Sequence, residues 1–138
     1  MIDEVYYLSK YKGVLSLGKQ NKIAKLVNRS KHYNCLKSRH EIVVFMTYAI
    51  HDIRFDILTY ARSGDSRNEH AQNITYGIGL ITGIEIYTPE YVPEICVNKV
   101  VCIIDDVYHR GHTLNKMAKI FKQAGAKKVI GYVFCKGK

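Results

Sequence analysis

The sequence predicts a three-layer, Rossmann-like α/β fold with a mainly parallel central sheet, laid down as a single domain over residues 1–138. Three observations predict it. The run Lys99-Val100-Val101-Cys102-Ile103-Ile104 has no polar alternation, as a strand covered on both faces requires. A helical pattern follows it, with Leu114, Met117, Ala118, Phe121 and Ala124 inward and Lys116, Lys119 and Lys122 outward. After a stop near Gly125 the chain returns to a second apolar run, Val129–Cys135, so the economical topology is a βαβ crossover between parallel neighbours.

The elements before this unit are read in chain order. Val5–Leu8 and Tyr11–Leu15 are rich in Tyr and β-branched residues, which suggests a short hairpin or edge strand. Gln20, Ile23, Ala24 and Val27 recur at helical spacing among lysines and read as an amphipathic helix with a basic outer face. Ile42–Ile50 is apolar throughout and fits helix or strand. Phe55–Tyr60 reads as a buried strand, ended by a Ser63-Gly64-Asp65 turn. Ser66 and Glu69 have capping-box spacing, so a helix is expected from there, with Ala71, Ile74, Ile78 and Ile81 on one face and Gly83 as its stop. Ile84–Tyr87 suits a short strand, and Pro89 and Pro93 mark a loop.

Composition narrows the function classes. A chain of 138 residues can bury roughly 70% of its unfolded surface, and 47% hydrophobic with 24% charged residues is ordinary for a globular core. Lys and Arg total 21 against 12 Asp and Glu, a formal charge of +9 that attracts anions. That field suits a polyphosphorylated metabolite and equally the backbone of a single-stranded nucleic acid. The four cysteines, Cys35, Cys96, Cys102 and Cys135, form no Cys-x-x-Cys pair, which disfavours a zinc ribbon and makes buried, reduced thiols the expectation. No uncharged segment approaches the ~20 residues that cross a bilayer. With no basic, apolar leader at Met1-Ile2-Asp3-Glu4, a cytoplasmic location and no membrane partner are expected.

Chemistry concentrates in one segment. Asp105 and Asp106 directly follow the Val100–Ile104 strand, at the carboxyl edge of the inferred sheet, where α/β proteins bind ligands. The stretch Val107-Tyr108-His109-Arg110-Gly111-His112-Thr113 reads as a loop that opens the last helix, so free backbone N–H groups and the positive dipole end converge there. Arg110 offers a forked contact to a phosphate, Gly111 allows close backbone approach, and Thr113 caps the helix or donates to a phosphate oxygen. Each residue alone is also what a solvated strand end and a capped turn contain. In combination they match a sugar phosphate, with hydroxyls to the carboxylates and phosphate to the amides.

Val101–Thr113 resembles the thirteen-residue signature for diphosphoribosyl diphosphate (PRPP) in type I phosphoribosyltransferases. That signature is an apolar run, two acids, an apolar pair and Thr-Thr-Gly-x-Thr, followed by a Leu-x-x-Ala-type helix and an Ala-Gly-Ala turn. Leu114, Ala118 and Ala124-Gly125-Ala126 reproduce the latter part, and the match covers Lys99–Phe134, roughly a quarter of the chain. A weaker likeness over Phe55–Gly83, in the Asp-led strand Asp56–Tyr60 and in Arg67 through Asn73, is to the competence-protein F (ComF) branch without its zinc ribbon.

The resemblance implies roles position by position. Asp105 and Asp106 would engage the ribose hydroxyls. Tyr108, His109, Arg110, Gly111, His112 and Thr113 would hold the 5′-phosphate, and Ala61, Arg62 and Ser63, with Arg67, the diphosphate and Mg²⁺. No metal ligation by side chains is implied with it. The implied reaction transfers phosphoribosyl from PRPP to a nitrogenous base or amine, or back. The chain departs from the family where the Thr-Thr pair is His109-Arg110 and the residue after Gly is His112, so the loop is bulkier and more cationic. His109 carries an imidazole, the side chain suited to proton exchange, and stands where purine-salvage members carry an acid that exchanges a proton with the base. The altered loop and the +9 charge motivate the alternative, a non-catalytic nucleotide- or nucleic-acid-binding protein on the same fold, in competence, DNA handling or regulation. The sequence leaves the acceptor and a homodimeric state open.

Overall fold

The computed structural model describes residues 2–7, 36–62, 69–108 and 112–136, with side chains at 2–6, 40–62, 69–105 and 112–134. Four strands, β1 (Glu4–Tyr7), β2 (Ile57–Tyr60), β3 (Val100–Tyr108) and β4 (Lys128–Lys136), make one sheet in the order β1-β4-β3-β2. All three pairings are parallel. The helices are α1 (Leu36–Ile50), α2 (His70–Thr82), the single turn α3 (Val92–Ile95) and α4 (His112–Gln123).

Two hydrophobic clusters lie on opposite faces of the sheet and make the three layers. Ile42, Met46, Ile74 and Ile78 of α1 and α2 pack on Cys102 and Ile104. Leu114, Met117, Ala118 and Phe121 of α4, with Val92, pack on Val101, Ile103 and Val129. Successive residues of β3 therefore enter different cores, which is why its sequence shows no polar alternation. Each fully buried Ile or Leu here contributes about 1.5–3 kcal/mol. The ambiguous run Ile42–Ile50 is helix: Ile42, Val43, Met46 and Ile50 are buried at helical spacing, while Phe45 and Tyr48 face out. Val5–Tyr7 lies in a parallel edge strand, and residues 8–35, including the second hairpin arm and the helix expected around Gln20–Val27, lie outside the described residues.

Three sequence expectations are corrected. Helix α2 starts at His70, with Glu69 as an N-cap residue that makes no side-chain cap bond, so Glu69 does not serve as the third residue of a capping box. Ile81 is 51% exposed and Thr75 is fully buried in its place. Ten residues beyond Ala71, Ile81 has turned about 80° off the buried stripe, whereas Thr75 stays on it and satisfies its hydroxyl by donating to the Ala71 carbonyl at 2.7 Å. Ile84–Tyr87 forms a single parallel bridge, Leu58 to Ile86, instead of a strand, because the chain turns away over Thr88–Tyr91. The stop at Gly83 is as expected, with φ +76° and its N–H donated to the Gly79 carbonyl at 2.8 Å.

Two aspartates set the register from the amino edge. Asp56 donates its N–H to the Val100 carbonyl at 2.8 Å, and its carboxylate accepts the Val100 N–H at 2.8 Å. Asp3 repeats the arrangement with Val129, at 2.9 and 2.8 Å, and also pairs with Lys122 at 2.7 Å. Burial pushes the Asp3 carboxyl up, but Lys122 and the Val129 amide outweigh it and the net shift is below the ordinary 3.8. Its stabilisation is therefore complete above the ordinary carboxylate range and is lost as pH falls through the lowered folded value. Asp56→Ala and Asp3→Ala are each expected to destabilise the fold by about 1–2 kcal/mol in urea melts. For Asp3→Ala the difference from the unsubstituted chain should shrink on acidification through the lowered folded value of Asp3.

Among the described residues, Cys96 and Cys102 are free and buried, and burial pushes the Cys102 thiol up to about 12. No described helix is long and apolar enough to cross a membrane.

Candidate active site

Parallel strands run toward a common edge, so the residues following β2 meet the carboxyl half of β3 although the two are more than forty positions apart in sequence. Tyr60 pairs with Ile104, and the Ala61 N–H continues the ladder to the Ile104 carbonyl at 2.8 Å. Ala61 and Arg62 thereby stand beside Asp105 and Asp106. Asp105, half-buried, shares the α4 face of β3 with Val101 and Ile103.

Strand β3 runs further than the sequence suggests. It carries both aspartates and continues through Val107 and Tyr108, which pair with Cys135 and Lys136 of β4. Val and Tyr are strong strand formers and β4 offers a partner over the same length, so the ladder persists past the acids. The expected Val107–Thr113 loop is corrected accordingly: Val107 and Tyr108 are strand residues, and His112 already begins α4. His112 is exposed, Thr113 half-buried, and Leu114 anchors the first turn in the core. The N–H groups of this first turn open toward the same edge as the aspartates. His109, Arg110, Gly111, Ser63 and Arg67 lie outside the described residues.

Arg62 is the cation that the described site holds beside the acids. Its guanidinium pairs with Glu90, donates to the Tyr60 hydroxyl at 2.8 Å and to Gln72 at 3.4 Å, and lies 5.4 Å from the Tyr60 ring centre. Burial, then a hydrogen bond with Tyr76, push the Tyr60 phenol up to about 12 against the opposing pull of Arg62, so it remains a neutral hydroxyl. Tyr60 and Gln72 fall in the segments of the weaker likeness without a role assigned to them, and Glu90 carries no motif signal. They join the site through the β2 register, the helix α2 and the Leu58–Ile86 bridge, which sequence spacing does not display.

A cleft of about 910 Å³ opens at the opposite, amino edge, among His51, Arg54, Asp56, Ile84 and Lys127. Its Asp56 is engaged in the register contact, and ligands of parallel α/β sheets bind at the carboxyl edge, where the acids, Arg62 and α4 converge. Among the described residues no group of three or more His, Cys, Asp or Glu could hold a metal by itself.

The fold has a structural counterpart. The allosteric regulatory enzyme of purine biosynthesis superposes with a TM-score of 0.52 and 18% identity, over 69% of this chain and 25% of that one. The fold is phosphoribosyltransferase-like. The HGPRT-ase of Leishmania tarentolae in complex with GMP aligns with a TM-score of 0.45 and 9% identity, over 69% of this chain and 62% of that one. The chain thus spans a quarter of the first enzyme's length and under two thirds of the second's. No protein-family model and no curated protein matches it. In this phosphoribosyltransferase-like fold the four parallel strands and the β3–α4 junction are what present Asp105, Asp106, Arg62 and Thr113 on one edge.

Proposed function

We propose that the chain is a cytoplasmic member of the type I phosphoribosyltransferase family, in the pattern of its ComF branch, that binds PRPP with Mg²⁺ and transfers phosphoribosyl to or from a nitrogenous base or amine. The observation that carries this reading is the ladder contact from Ala61 to Ile104, which brings the Arg62 end of β2 alongside the Asp105-Asp106 stretch of β3, on the side of the sheet where α4 begins. A sugar bearing phosphates at both ends needs that pattern of charge: acids for its hydroxyls, flanked by donors on either side.

In this reading Asp105 and Asp106 accept hydrogen bonds from the ribose hydroxyls. The first turn of α4, with Thr113 and the residues before it, receives the 5′-phosphate. Arg62 and the Ala61 end of β2, joined by Ser63 and Arg67, take the diphosphate. Bound Mg²⁺ supplies charge neutralisation to the departing diphosphate. As that bond breaks, positive charge develops on the ribose carbon, and the fixed carboxylates lower its energy. His109 exchanges a proton with the acceptor. Calorimetry with PRPP and Mg²⁺ tests the proposal: a saturable heat is expected, and no heat at millimolar ligand would sink it.

Lys116 and Lys119, exposed on α4, favour a second reading in which the same fold binds single-stranded nucleic acid or a nucleotide without catalysis. A steep loss of single-stranded DNA affinity with salt, together with no release of diphosphate from PRPP, distinguishes it.

A further inference from the structure

The anion site ascribed to Arg62 already contains an anion. The parallel bridge between Leu58 and Ile86 brings the segment that follows Gly83 alongside β2, and the turn after it carries Glu90 to Arg62. Two further contacts fix this alignment. Tyr87 donates its N–H to the Leu58 carbonyl at 3.0 Å, and the fully buried Thr59 donates its hydroxyl to the Tyr87 carbonyl at 2.7 Å. Beyond Tyr87 the backbone closes a turn, with Tyr91 and Val92 both donating to the Thr88 carbonyl, at 3.0 and 3.3 Å. Pro89 and Val92 are buried, and Tyr87 stacks on Tyr91 with ring centres 6.1 Å apart. Glu90 is thus carried on an anchored turn and not on a loose loop, and its carboxylate meets Arg62 at a point where both side chains remain open to solvent, 59% and 44% exposed.

We infer that Glu90 is a built-in counter-ion that occupies the anion site of Arg62, so that a diphosphate group binds there by exchanging with the Glu90 carboxylate. This rests on the diphosphate role of Arg62 proposed above. The physical reason for an exchange is that one face of the guanidinium is already committed. Tyr60 lies against its plane and, with Gln72, takes up the Nη2 end, while Glu90 stands at the Nη1 end, so a diphosphate oxygen approaching Nη1 meets the like-charged Glu90 carboxylate and binds best when that carboxylate moves aside. Tyr60 and Gln72 keep the guanidinium aimed while its partner changes. The solvent exposure of the pair makes the exchange inexpensive, because an exposed ion pair contributes only about 0.2–1 kcal/mol.

The test is calorimetric titration of the full chain with inorganic diphosphate and Mg²⁺. Glu90→Gln is expected to bind about two- to five-fold more tightly than the unsubstituted chain, which is the factor an exposed ion pair represents. Arg62→Gln is expected to weaken binding roughly ten-fold or more, as loss of a charged hydrogen-bond donor does. In the Arg62→Gln/Glu90→Gln double variant the gain from Glu90→Gln should disappear. Glu94→Gln, on the neighbouring α3, changes the net charge equally without touching Arg62 and should stay near the unsubstituted value. If Glu90→Gln is no tighter than Glu94→Gln while Arg62→Gln still weakens binding, the counter-ion role is overturned and the diphosphate site stands. If Arg62→Gln changes nothing, or neither the unsubstituted chain nor Glu90→Gln gives heat, both are overturned.

Discussion

Replacing Asp105 and Asp106 together by Asn is expected to weaken PRPP binding by about two to four orders of magnitude, since each hydrogen bond to a charged group contributes about 1.5–3 kcal/mol. The sign of the change is more informative than its size. Removing two negative charges beside a phosphate site should, by Coulomb's law alone, tighten the binding of any polyanion. Weaker binding can therefore arise only if the carboxylates make direct contacts that outweigh their repulsion, as hydroxyl acceptors do. Asp105 is half-buried within β3 and Asn has the same shape, so the thermal midpoint should move by no more than a few degrees. Calorimetry with PRPP and, in parallel, with single-stranded DNA separates the two proposed readings. Tighter DNA binding with unchanged PRPP binding would mean that the acids only line a basic surface.

The sequence displays this edge unevenly, and the reason is physical. Val101–Ile104 enter two cores at once, so their burial is written into an unbroken apolar run. The inward stripe of α4 is legible for the same reason, since Leu114, Met117, Ala118 and Phe121 repeat at the helical period. The extension of β3 past Asp105 is not written that way. It depends on β4 supplying ladder partners as far as Lys136, a property of the neighbour and not of the strand. The Ser66–Glu69 spacing places the start of α2 too early, because Glu69 stands before the helix, at its N-cap, and not within its first turn. The resemblance assigns a role to Arg62 but none to Tyr60, Gln72 or Glu90. Their meeting is fixed by the parallel register of Leu58 with Ile86 and by α2 lying over β2.

The β3–α4 unit allows stability and binding to be separated with two substitutions in one core. Leu114 and Phe121 belong to the same cluster and are 1% and 2% exposed, yet they sit at opposite ends of α4. Leu114 is in the first turn, next to His112 and Thr113. Phe121 is in the last turn, where its carbonyl accepts from Cys96 and Ala126 near the amino edge. Phe121→Ala is expected to destabilise the chain by about 3–5 kcal/mol and Leu114→Ala by about 2–5 kcal/mol, lowering the thermal midpoint by roughly 10 °C or more in each case. Below its midpoint, Phe121→Ala should bind PRPP nearly as the unsubstituted chain does, because the carboxyl edge is intact. Leu114→Ala should bind it at least ten-fold more weakly even where circular dichroism shows it folded, because the first turn loses the anchor that aims its N–H groups. PRPP should accordingly raise the midpoint of Phe121→Ala far more than that of Leu114→Ala, since stabilisation by a ligand follows RT ln(1 + [L]/Kd). Equal shifts for the two variants would mean that the start of α4 does not grip a phosphate, and the phosphoribosyl reading would lose its second contact.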